Sequence, residues 1–268
     1  MSAEAKTTVF EFAPMAPESR GTQVEIVERD CLEVVQSLAA DATNKVALLN
    51  MANPRAPGGD VLTGANAQEE EIFRRTNAGA LLRQSGICLE YPLFARVVDD
   101  HQGDGKKSWR QRILLTEPVL LLRDRNGAFL AESDRVTFSL ISASAQRFEG
   151  EEKGQIGVNM ASAIKNLLEV ASQAQPTHLV LSAWGCGAFH QDPKYVAELF
   201  RHEICQWANP CQVKIFFAVL NDHNSTRNNK RRFAEAFDKC APQGFLPPAE
   251  GSCFLREKEP VVTFHGPH

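Results

Sequence analysis

The feature that most constrains the fold is an alternation of short apolar runs with longer amphipathic segments. KVALLNM (45–51), THLVLSAW (177–184) and VKIFFAVL (213–220) contain few polar residues, which is typical of strands buried on both faces of a parallel sheet. The segments between them carry apolar residues at helical spacing. This order predicts a three-layer α/β/α fold, in which helices cover both faces of a mixed, mostly parallel sheet.

The predicted elements follow from this periodicity. Strands are expected at Thr22–Val27, Lys45–Met51, Pro118–Asp124, Arg135–Ala143, Thr177–Trp184 and Val213–Leu220. Helices are expected at about Cys31–Ala39, Ala65–Gln84, Gly157–Ser172, Pro193–Trp207 and Asn229–Cys240. The segment His101–Ser108 is predicted to be a polar loop, and the tail from Ala241 a surface wrap. Since neither an internal repeat nor a linker is visible, residues 1–268 are predicted to form a single domain.

Composition and charge argue against several functional classes. The net charge of −4 does not fit a general nucleic-acid surface, which is normally basic. The seven cysteines are scattered and lack CxxC spacing, so neither a disulfide framework nor a metal site is indicated. No signal-like start is present, and no stretch approaches the roughly 18 apolar residues of a membrane span. We expect a cytoplasmic protein, with a nuclear location as the alternative, that uses no metal or cofactor and binds neither nucleic acid nor membrane.

Glycine-rich loops follow two of the predicted strands, at the carboxyl ends where ligands bind in such sheets. The first contains Gly58 and Gly59 and precedes a helix, so backbone N–H groups and a helix N-terminus can receive an anion there. A tight turn that needs positive φ is the alternative interpretation. The second, Gly185–Phe189, has glycines on both sides of Cys186 and suits a pyrophosphate lying on backbone amides. Phe189 is suited to stack on a ring or ribose, although capping of the core is the ordinary role of a phenylalanine there.

A third loop, Asn221–Asn224, follows the strand VKIFFAVL. Its residues favour turns and helix caps. We therefore expect a structural role for this loop, with ligand contact as the alternative.

Three consecutive glutamates, Glu69 to Glu71, come directly after the first glycine loop. Successive helix residues are rotated by about 100°, so one or two of these carboxylates can face a ligand while another faces solvent. Surface ion pairs of Glu71 with Arg75 and of Glu70 with Arg74 are the alternative. Carboxylates beside an anion and beside each other have raised pKa values, which a general acid for glycoside cleavage requires.

Taken together, these motifs resemble one family. PGGDVLTGANAQEE (57–70) is similar to the signature of microbial-type poly(ADP-ribose) glycohydrolases, which combines three glycines, a short spacer and Gln-Glu-Glu. NMAN (50–53) resembles the NAAN motif of the macrodomain superfamily, WGCGAF the second phosphate loop of the family, and FFAVLND its last core strand. The similarity reaches from about Asp30 to Asp238. It implies a macrodomain-like fold, binding of ADP-ribose and of ADP-ribosylated protein, and hydrolysis of the glycosidic bond at the terminal ribose.

The resemblance also implies roles for individual residues. Glu70, the last member of Gln-Glu-Glu, matches the catalytic acid that protonates the leaving group, and Glu69 matches the neighbour that positions the ribose. The implied substrate-binding residues are Gln68 at the start of the signature, Asn53 for the distal ribose, Gly58 and Gly59 for the diphosphate, Asp30 for the adenine amino group, and Gly185, Cys186, Gly187, Ala188 and Phe189 for the opposite wall.

Asp60 departs from the family signature, because it stands where the third glycine is expected. An aspartate beside a diphosphate is repelled unless it turns toward the distal ribose or a cationic group. Together with Glu69 or Glu70 it can contact a guanidinium, so Asp60 is a candidate catalytic residue for mono-ADP-ribosyl-arginine, with poly(ADP-ribose) as the alternative substrate. The competing functions are a reader of ADP-ribose marks without turnover and an unrelated doubly wound enzyme.

Overall fold

A seven-stranded sheet forms the centre of the structure. The computed structural model describes residues 6–10, 22–98, 107–146, 153–207, 213–221 and 228–238. The strands in these ranges are β1 (Lys6–Phe10), β2 (Val24–Val27), β3 (Val46–Met51), β4 (Phe94–Val98), β5 (Lys107–Gln111), β6 (Ile113–Leu120), β7 (Thr137–Ala143), β8 (His178–Leu181) and β9 (Lys214–Ala218). The helices are α1 (Cys31–Ala39), α2 (Gln68–Arg75), α3 (Ala78–Leu82), α4 (Ser85–Cys88), α5 (Lys153–Ala174), α6 (Pro193–Gln206) and α7 (Asn229–Phe237).

The strand order in the large sheet is β1-β6-β7-β3-β8-β9-β2, while β4 and β5 form a separate antiparallel pair. All neighbours from β7 to β2 are parallel, and β6 pairs antiparallel with both β1 and β7. This confirms the predicted mixed, mostly parallel sheet. Because parallel strands share one carboxyl edge, the loops after β2, β3, β7, β8 and β9 all begin on the same side.

Strand β3 shows how the sheet separates two cores. Ala47 and Leu49 belong to a core shared with α5, α6 and α7, whereas Val46 and Leu48 belong to a core shared with α1, α2 and α3. This alternation is the period of two that a strand imposes. Helices on both faces explain the almost continuous apolar runs of the parallel strands, and the three-layer prediction is confirmed.

The single helix predicted at Ala65–Gln84 is wrong, because the structure divides this segment into α2 and α3. Thr76 between them is extended, with φ −129° and ψ 174°, and forms an isolated bridge with Leu121. Asn77 then pairs with Leu120 through N–H to carbonyl at 3.2 Å and through Oδ1 to N–H at 2.8 Å. Contact with a distant strand thus outweighs the local helical pattern.

The strand predicted at Pro118–Asp124 is displaced, because β6 covers Ile113–Leu120. Beyond its end, the N–H groups of Leu122 and Arg123 donate to the carbonyl of Arg75 at 2.8 and 3.0 Å. The end of α2 therefore accepts hydrogen bonds from Leu122 and Arg123, which the apolar sequence predicts to lie in a strand.

Strands β1, β4 and β5 are not predicted from the sequence, whereas the remaining predicted elements are confirmed with small shifts at their ends. The polar loop predicted at His101–Ser108 is wrong at its end, because Lys107 and Ser108 lie in β5, and its residues 101–106 lie outside the described residues. Residues 222–224 of the third loop and the tail from Ala241 also lie outside the described residues. That the chain forms a single domain stays a prediction. No helix in the described ranges combines the length and apolarity that a membrane crossing requires.

Candidate active site

The loops after β3 and β8 begin side by side, because these strands are parallel neighbours. The first spans 52–67 and leads into α2, and the second spans 182–192 and leads into α6. Ala145, after β7, contacts the same region, since a Cβ added to Gly185 would lie 3.2 Å from the Cβ of Ala145. Three adjacent strand ends therefore surround one part of the carboxyl edge.

Gln68 fastens the first turn of α2 to the end of β3. Its Nε2 donates to the carbonyl of Leu49 and its Oε1 accepts from the N–H of Met51, both at 2.7 Å. The side-chain amide thus satisfies two backbone groups of β3. This pairing places the two following glutamates over the first glycine loop, and contact of Gln68 with a substrate stays a prediction.

Glu69 is a carboxylate of only 3% exposure that holds the loop after β3. Its Oε2 accepts from the N–H of Asn53 at 2.7 Å, and its Oε1 from the N–H of Gly58 at 3.0 Å and from Nδ2 of Asn50 at 3.4 Å. These bonds favour the ionised form. Burial nevertheless raises the pKa of Glu69 to about 7, with a smaller contribution from the charge of Glu70.

Glu70 connects the glycine loop to the start of its own helix. Its Oε1 accepts from the N–H of Asp60 at 3.2 Å and its Oε2 from the N–H of Ala67 at 3.1 Å. The second bond satisfies an amide that the helix N-terminus leaves unpaired. Both candidate carboxylates are therefore buried and held against the loop by backbone N–H groups.

Gly59 allows this close approach. Its φ of +48° lies in the left-handed region that favours glycine. A Cβ here would lie 2.6 Å from Oε1 of Glu70 and 3.3 Å from Oε2 of Glu69. The N–H groups of Gly58 and Gly59 already donate within the protein, to Glu69 and to the carbonyl of Ala56. In this arrangement the loop positions carboxylates, and its contact with a diphosphate stays a prediction.

Asp60 does not need the conformational freedom of the glycine that the signature expects. Its φ of −97° and ψ of 30° are accessible to any residue, so the substitution brings no backbone strain. Its backbone N–H bonds to Glu70, and its side chain is exposed and forms no hydrogen bond with another described residue. The carboxylate is thus available at the surface beside the pair of glutamates.

Asn53 uses its side chain to shape the loop. Its Oδ1 accepts from the N–H of Arg55 at 2.8 Å and, more weakly, from that of Ala56 at 3.4 Å. A hydrogen bond from Asn53 to a distal ribose stays a prediction. The side-chain nitrogen is the polar group that remains for such a bond.

The second glycine loop presents three consecutive backbone amides. Within the described residues, the N–H groups of Gly187, Ala188 and Phe189 donate to no protein acceptor, whereas that of His190 donates to the carbonyl of Gly187 at 2.9 Å. Consecutive amides of this kind suit a phosphate. Phe189 also packs partly against the core of α5 to α7, and the buried Cys186 directs its Sγ to the carbonyl of Trp184 at 3.7 Å.

Two buried glutamines that the sequence reasoning missed hold this loop. Nε2 of Gln191 donates to the carbonyl of Gln146 at 2.7 Å, and its backbone N–H donates to the carbonyl of Gly185 at 2.9 Å. Gly185 has φ +79°, and a Cβ there would lie 2.9 Å from Cγ of Gln191. The only signal in the sequence is that Gln191 directly follows the loop, since its partner is 45 residues away.

The ion pairs suggested by helical spacing are wrong. Arg75 pairs with Asp30 rather than with Glu71, and the distance between Nη1 and Oδ1 is 2.8 Å. Arg74 pairs with Glu71 at 2.9 Å rather than with Glu70, whose carboxylate is bonded to backbone. Glu71 is thus a peripheral charge, as one of the two interpretations predicted.

Asp30 follows β2 at the same carboxyl edge and begins α1. Its Oδ1 accepts from the N–H groups of Leu32 and Glu33 at 3.0 and 3.1 Å, which is the geometry of an N-cap. An adenine amino group at Asp30 stays a prediction and would use the other oxygen, Oδ2. Asn221, in the third loop, bonds to Glu28 at 3.3 Å, which supports a structural role.

The site therefore combines two adjacent buried carboxylates, an exposed third one and a set of unpaired amides. A buried carboxyl group, together with backbone amides that have no protein acceptor, suits acid-assisted cleavage of a phosphorylated sugar. Among the described residues, no three His, Cys, Asp or Glu side chains are grouped so as to hold a metal ion.

Known proteins are similar to this chain in the sequence of the first glycine loop and in the fold. Residues 2–124 match the family model for the microbial-type PARG catalytic domain, PARG being poly(ADP-ribose) glycohydrolase. This range contains the first glycine loop and both glutamates. None of the curated proteins is significantly similar to the chain in sequence.

Solved structures extend the similarity beyond that range. A mutant PARG from Deinococcus radiodurans, in complex with ADP-ribose, is 24% identical with a TM-score of 0.71, covering 87% of this chain and 94% of its own. A second complex from D. radiodurans is 25% identical with a TM-score of 0.65 and coverages of 81% and 84%. PARG from Thermomonospora curvata, bound to the inhibitor ADP-HPD, is 25% identical with a TM-score of 0.64 and coverages of 80% and 79%.

The resemblance predicted from the sequence is thereby confirmed. The family model covers the residues that form the carboxylate pair, and the structural similarity covers most of the described chain. Residues 2–124 are thus similar to the microbial-type PARG catalytic domain, and the chain has the macrodomain-like α/β fold of the PARG structures.

Proposed function

We propose that the protein is an ADP-ribosyl glycohydrolase, which binds ADP-ribose and hydrolyses the glycosidic bond at the distal ribose of ADP-ribosylated protein. The observation that carries this proposal is the pair of buried carboxylates, Glu69 and Glu70, held at the glycine loop by four backbone N–H groups. The complexes of the D. radiodurans and T. curvata enzymes with ADP-ribose and ADP-HPD support the same class of ligand.

The roles of the groups follow from their positions. The amides of the second loop receive the diphosphate, which directs the distal ribose toward the carboxylates. Glu70 donates a proton to the leaving oxygen or nitrogen as its bond to the anomeric carbon breaks, and oxocarbenium character develops on the sugar. Water then adds to the anomeric carbon and returns a proton to Glu70. Glu69, anchored by three donors, holds the loop and positions the ribose.

Among the linkages, we propose mono-ADP-ribosyl-arginine as the preferred substrate. Asp60 contacts Glu70 through its backbone while its carboxylate stays exposed. A guanidinium leaving group is cationic and offers several N–H donors to carboxylates, whereas a ribose hydroxyl or a serine offers none of this charge. Poly(ADP-ribose) is the alternative substrate.

The test measures ADP-ribose released from arginine-linked, serine-linked and poly(ADP-ribose) substrates. Glu70→Gln should abolish release from every linkage while retaining ADP-ribose binding. Glu71→Gln is the matched control on the same helix and should keep wild-type turnover, because that carboxylate pairs with Arg74. Asp60→Gly should lower turnover of the arginine linkage about tenfold, as expected for a lost charged hydrogen bond, and leave poly(ADP-ribose) turnover intact.

Each assignment has its own contradicting outcome. Undiminished release by Glu70→Gln would refute the role of Glu70. Equal effects of Asp60→Gly on both kinds of substrate would refute the arginine preference. Wild-type binding of ADP-ribose without release from any linkage would instead identify a reader of ADP-ribose marks.

A further inference from the structure

Arg83 places a guanidinium group beside the first glycine loop. It directly follows α3, and its Cζ lies 5.5 Å from the centre of the Phe73 ring, which is a cation–π contact. A Cβ added to Gly58 would lie 2.5 Å from this ring and 3.1 Å from Nη2 of Arg83. Gly58 in turn donates its N–H to Oε1 of Glu69 at 3.0 Å. With standard bond lengths, these contacts place Nη2 of Arg83 within about 9 Å of the Glu69 carboxylate.

This cation has no anionic partner in the described part of the chain. Arg83 is exposed, and it forms neither an ion pair nor a hydrogen bond with another described residue. The carboxylates of Glu69 and Glu70 accept from backbone N–H groups instead. Stacking on Phe73 restricts the guanidinium and leaves its N–H donors free. Arg83 is therefore a positioned donor of charged hydrogen bonds that the fold itself does not use.

The first glycine loop also carries exposed charges of both signs. Asp60, two residues after Gly58, is exposed, and so is Arg55, whose backbone N–H bonds to Asn53. A peptide that brings a cation to Asp60 and an anion to Arg83 matches this arrangement. A further diphosphate at Arg83 would instead lie close to the negative charge in the same loop. The charge pattern therefore favours a peptide with charges of both signs over a polymer of phosphates.

We propose that Arg83 is a specificity-determining residue that binds an acidic side chain of the modified protein, next to the ADP-ribosylated arginine. The modified guanidine group then lies toward Asp60, and a neighbouring glutamate or aspartate of the substrate pairs with Arg83. The inference rests on the proposed function and deepens it, because it specifies the sequence around the modified residue.

The test uses three peptides that each carry one ADP-ribosyl-arginine, flanked within two residues by glutamates, by glutamines or by lysines. The wild type should release ADP-ribose from the glutamate peptide with a kcat/KM about three- to fivefold higher than from the glutamine peptide, as expected for one exposed ion pair. This ratio should approach one in about 0.5 M salt, because salt screens exposed charges.

Substitutions of Arg83 separate its charge from its packing. Arg83→Gln should bring the ratio of kcat/KM values close to one, and Arg83→Lys should keep part of the preference. Arg83→Glu should reverse it in favour of the lysine peptide. Lys214→Gln is the matched control and should keep the wild-type ratio, because it removes an exposed positive charge at the start of β9, at the opposite edge of the sheet.

A purely structural role of Arg83 on Phe73 would lower release from all three peptides by the same factor and leave the ratio unchanged, which would overturn the inference. A loss in Arg83→Gln that is confined to poly(ADP-ribose) turnover would also overturn it, by assigning the anion to the polymer. Equal wild-type kcat/KM for the three peptides overturns the inference alone. Wild-type release from poly(ADP-ribose) but from no peptide removes the arginine preference as well, and absence of release from every linkage removes the proposed function.

Discussion

Replacing Glu69 by Gln should change how the stability of the protein depends on pH. Burial raises the pKa of this carboxyl from 4.5 to about 7 in the folded protein. Between these two values the folded state keeps a proton that the unfolded chain releases, so the free energy of unfolding falls as pH rises through this window. The interval corresponds to on the order of 3 kcal/mol at about 1.4 kcal/mol per pH unit.

The assay is urea unfolding of the wild type and of Glu69→Gln at pH 5 and pH 8. Relative to the variant, the wild type should lose about 2 to 3 kcal/mol between these values, since part of the effect lies below pH 5. Glu203 on α6 also has its pKa raised to about 7 by burial, but it is present in both proteins and cancels in the difference.

Glu203→Gln is the matched control, because it removes a buried carboxyl of similar pKa outside the site. It should show a comparable loss of pH dependence in unfolding. The pH dependence of ADP-ribose binding distinguishes the two variants, because an anion raises the pKa of a neighbouring carboxyl. Binding should weaken as pH rises above about 7 in the wild type and in Glu203→Gln, but not in Glu69→Gln. A stability difference between wild type and Glu69→Gln that is constant from pH 5 to pH 8 would refute the reasoning.

Three further predictions concern single positions. Gly59→Ala and Gly64→Ala both place a side chain at positive φ; Gly64→Ala should cost about 1 kcal/mol in urea unfolding, and Gly59→Ala more, because its Cβ also meets Oε1 of Glu70. Only Gly59→Ala displaces the carboxylates, so it alone should lower ADP-ribose release, by about 100-fold, and equal activity of the two variants would contradict this. His190→Gly should leave the free energy of unfolding unchanged or raise it by up to about 1 kcal/mol, because His190 has φ +58°. Gln175→Gly should have the same effect, since Gln175 has φ +47°. A clear loss of stability in either variant would show that the replaced side chain stabilises the fold. Tyr91→Phe should not lower the urea midpoint, since the buried hydroxyl has no partner among the described residues, and a loss above about 1 kcal/mol would show that it has one.

Much of the fold and of the candidate site is predictable because its signals are local. The apolar runs of β3, β8 and β9 lie within single strands, and the glycine pair with the glutamates behind it spans only 13 residues, from Gly58 to Glu70. The residues that favour turns, strands and helix starts act through their neighbours along the chain. A sequence pattern can therefore predict these features. The order of the motifs then indicates a resemblance to one family, which the family model bears out over residues 2–124, and the solved structures bear out the fold.

The amino-acid sequence by itself determined which residues lie at the carboxyl edge of the sheet. Each of these residues follows a strand, and the apolar composition of that strand predicts that it is buried. Only the tertiary structure decided what those residues do there. It ended α2 at Thr76 through a strand about 45 residues away, and it paired Arg75 with Asp30 across the same separation. It also turned the amides of Gly58 and Asp60 toward Glu69 and Glu70, and raised the pKa of Glu69. These outcomes depend on distances and burial that exist only when separate segments pack together, and no periodicity within one segment contains them.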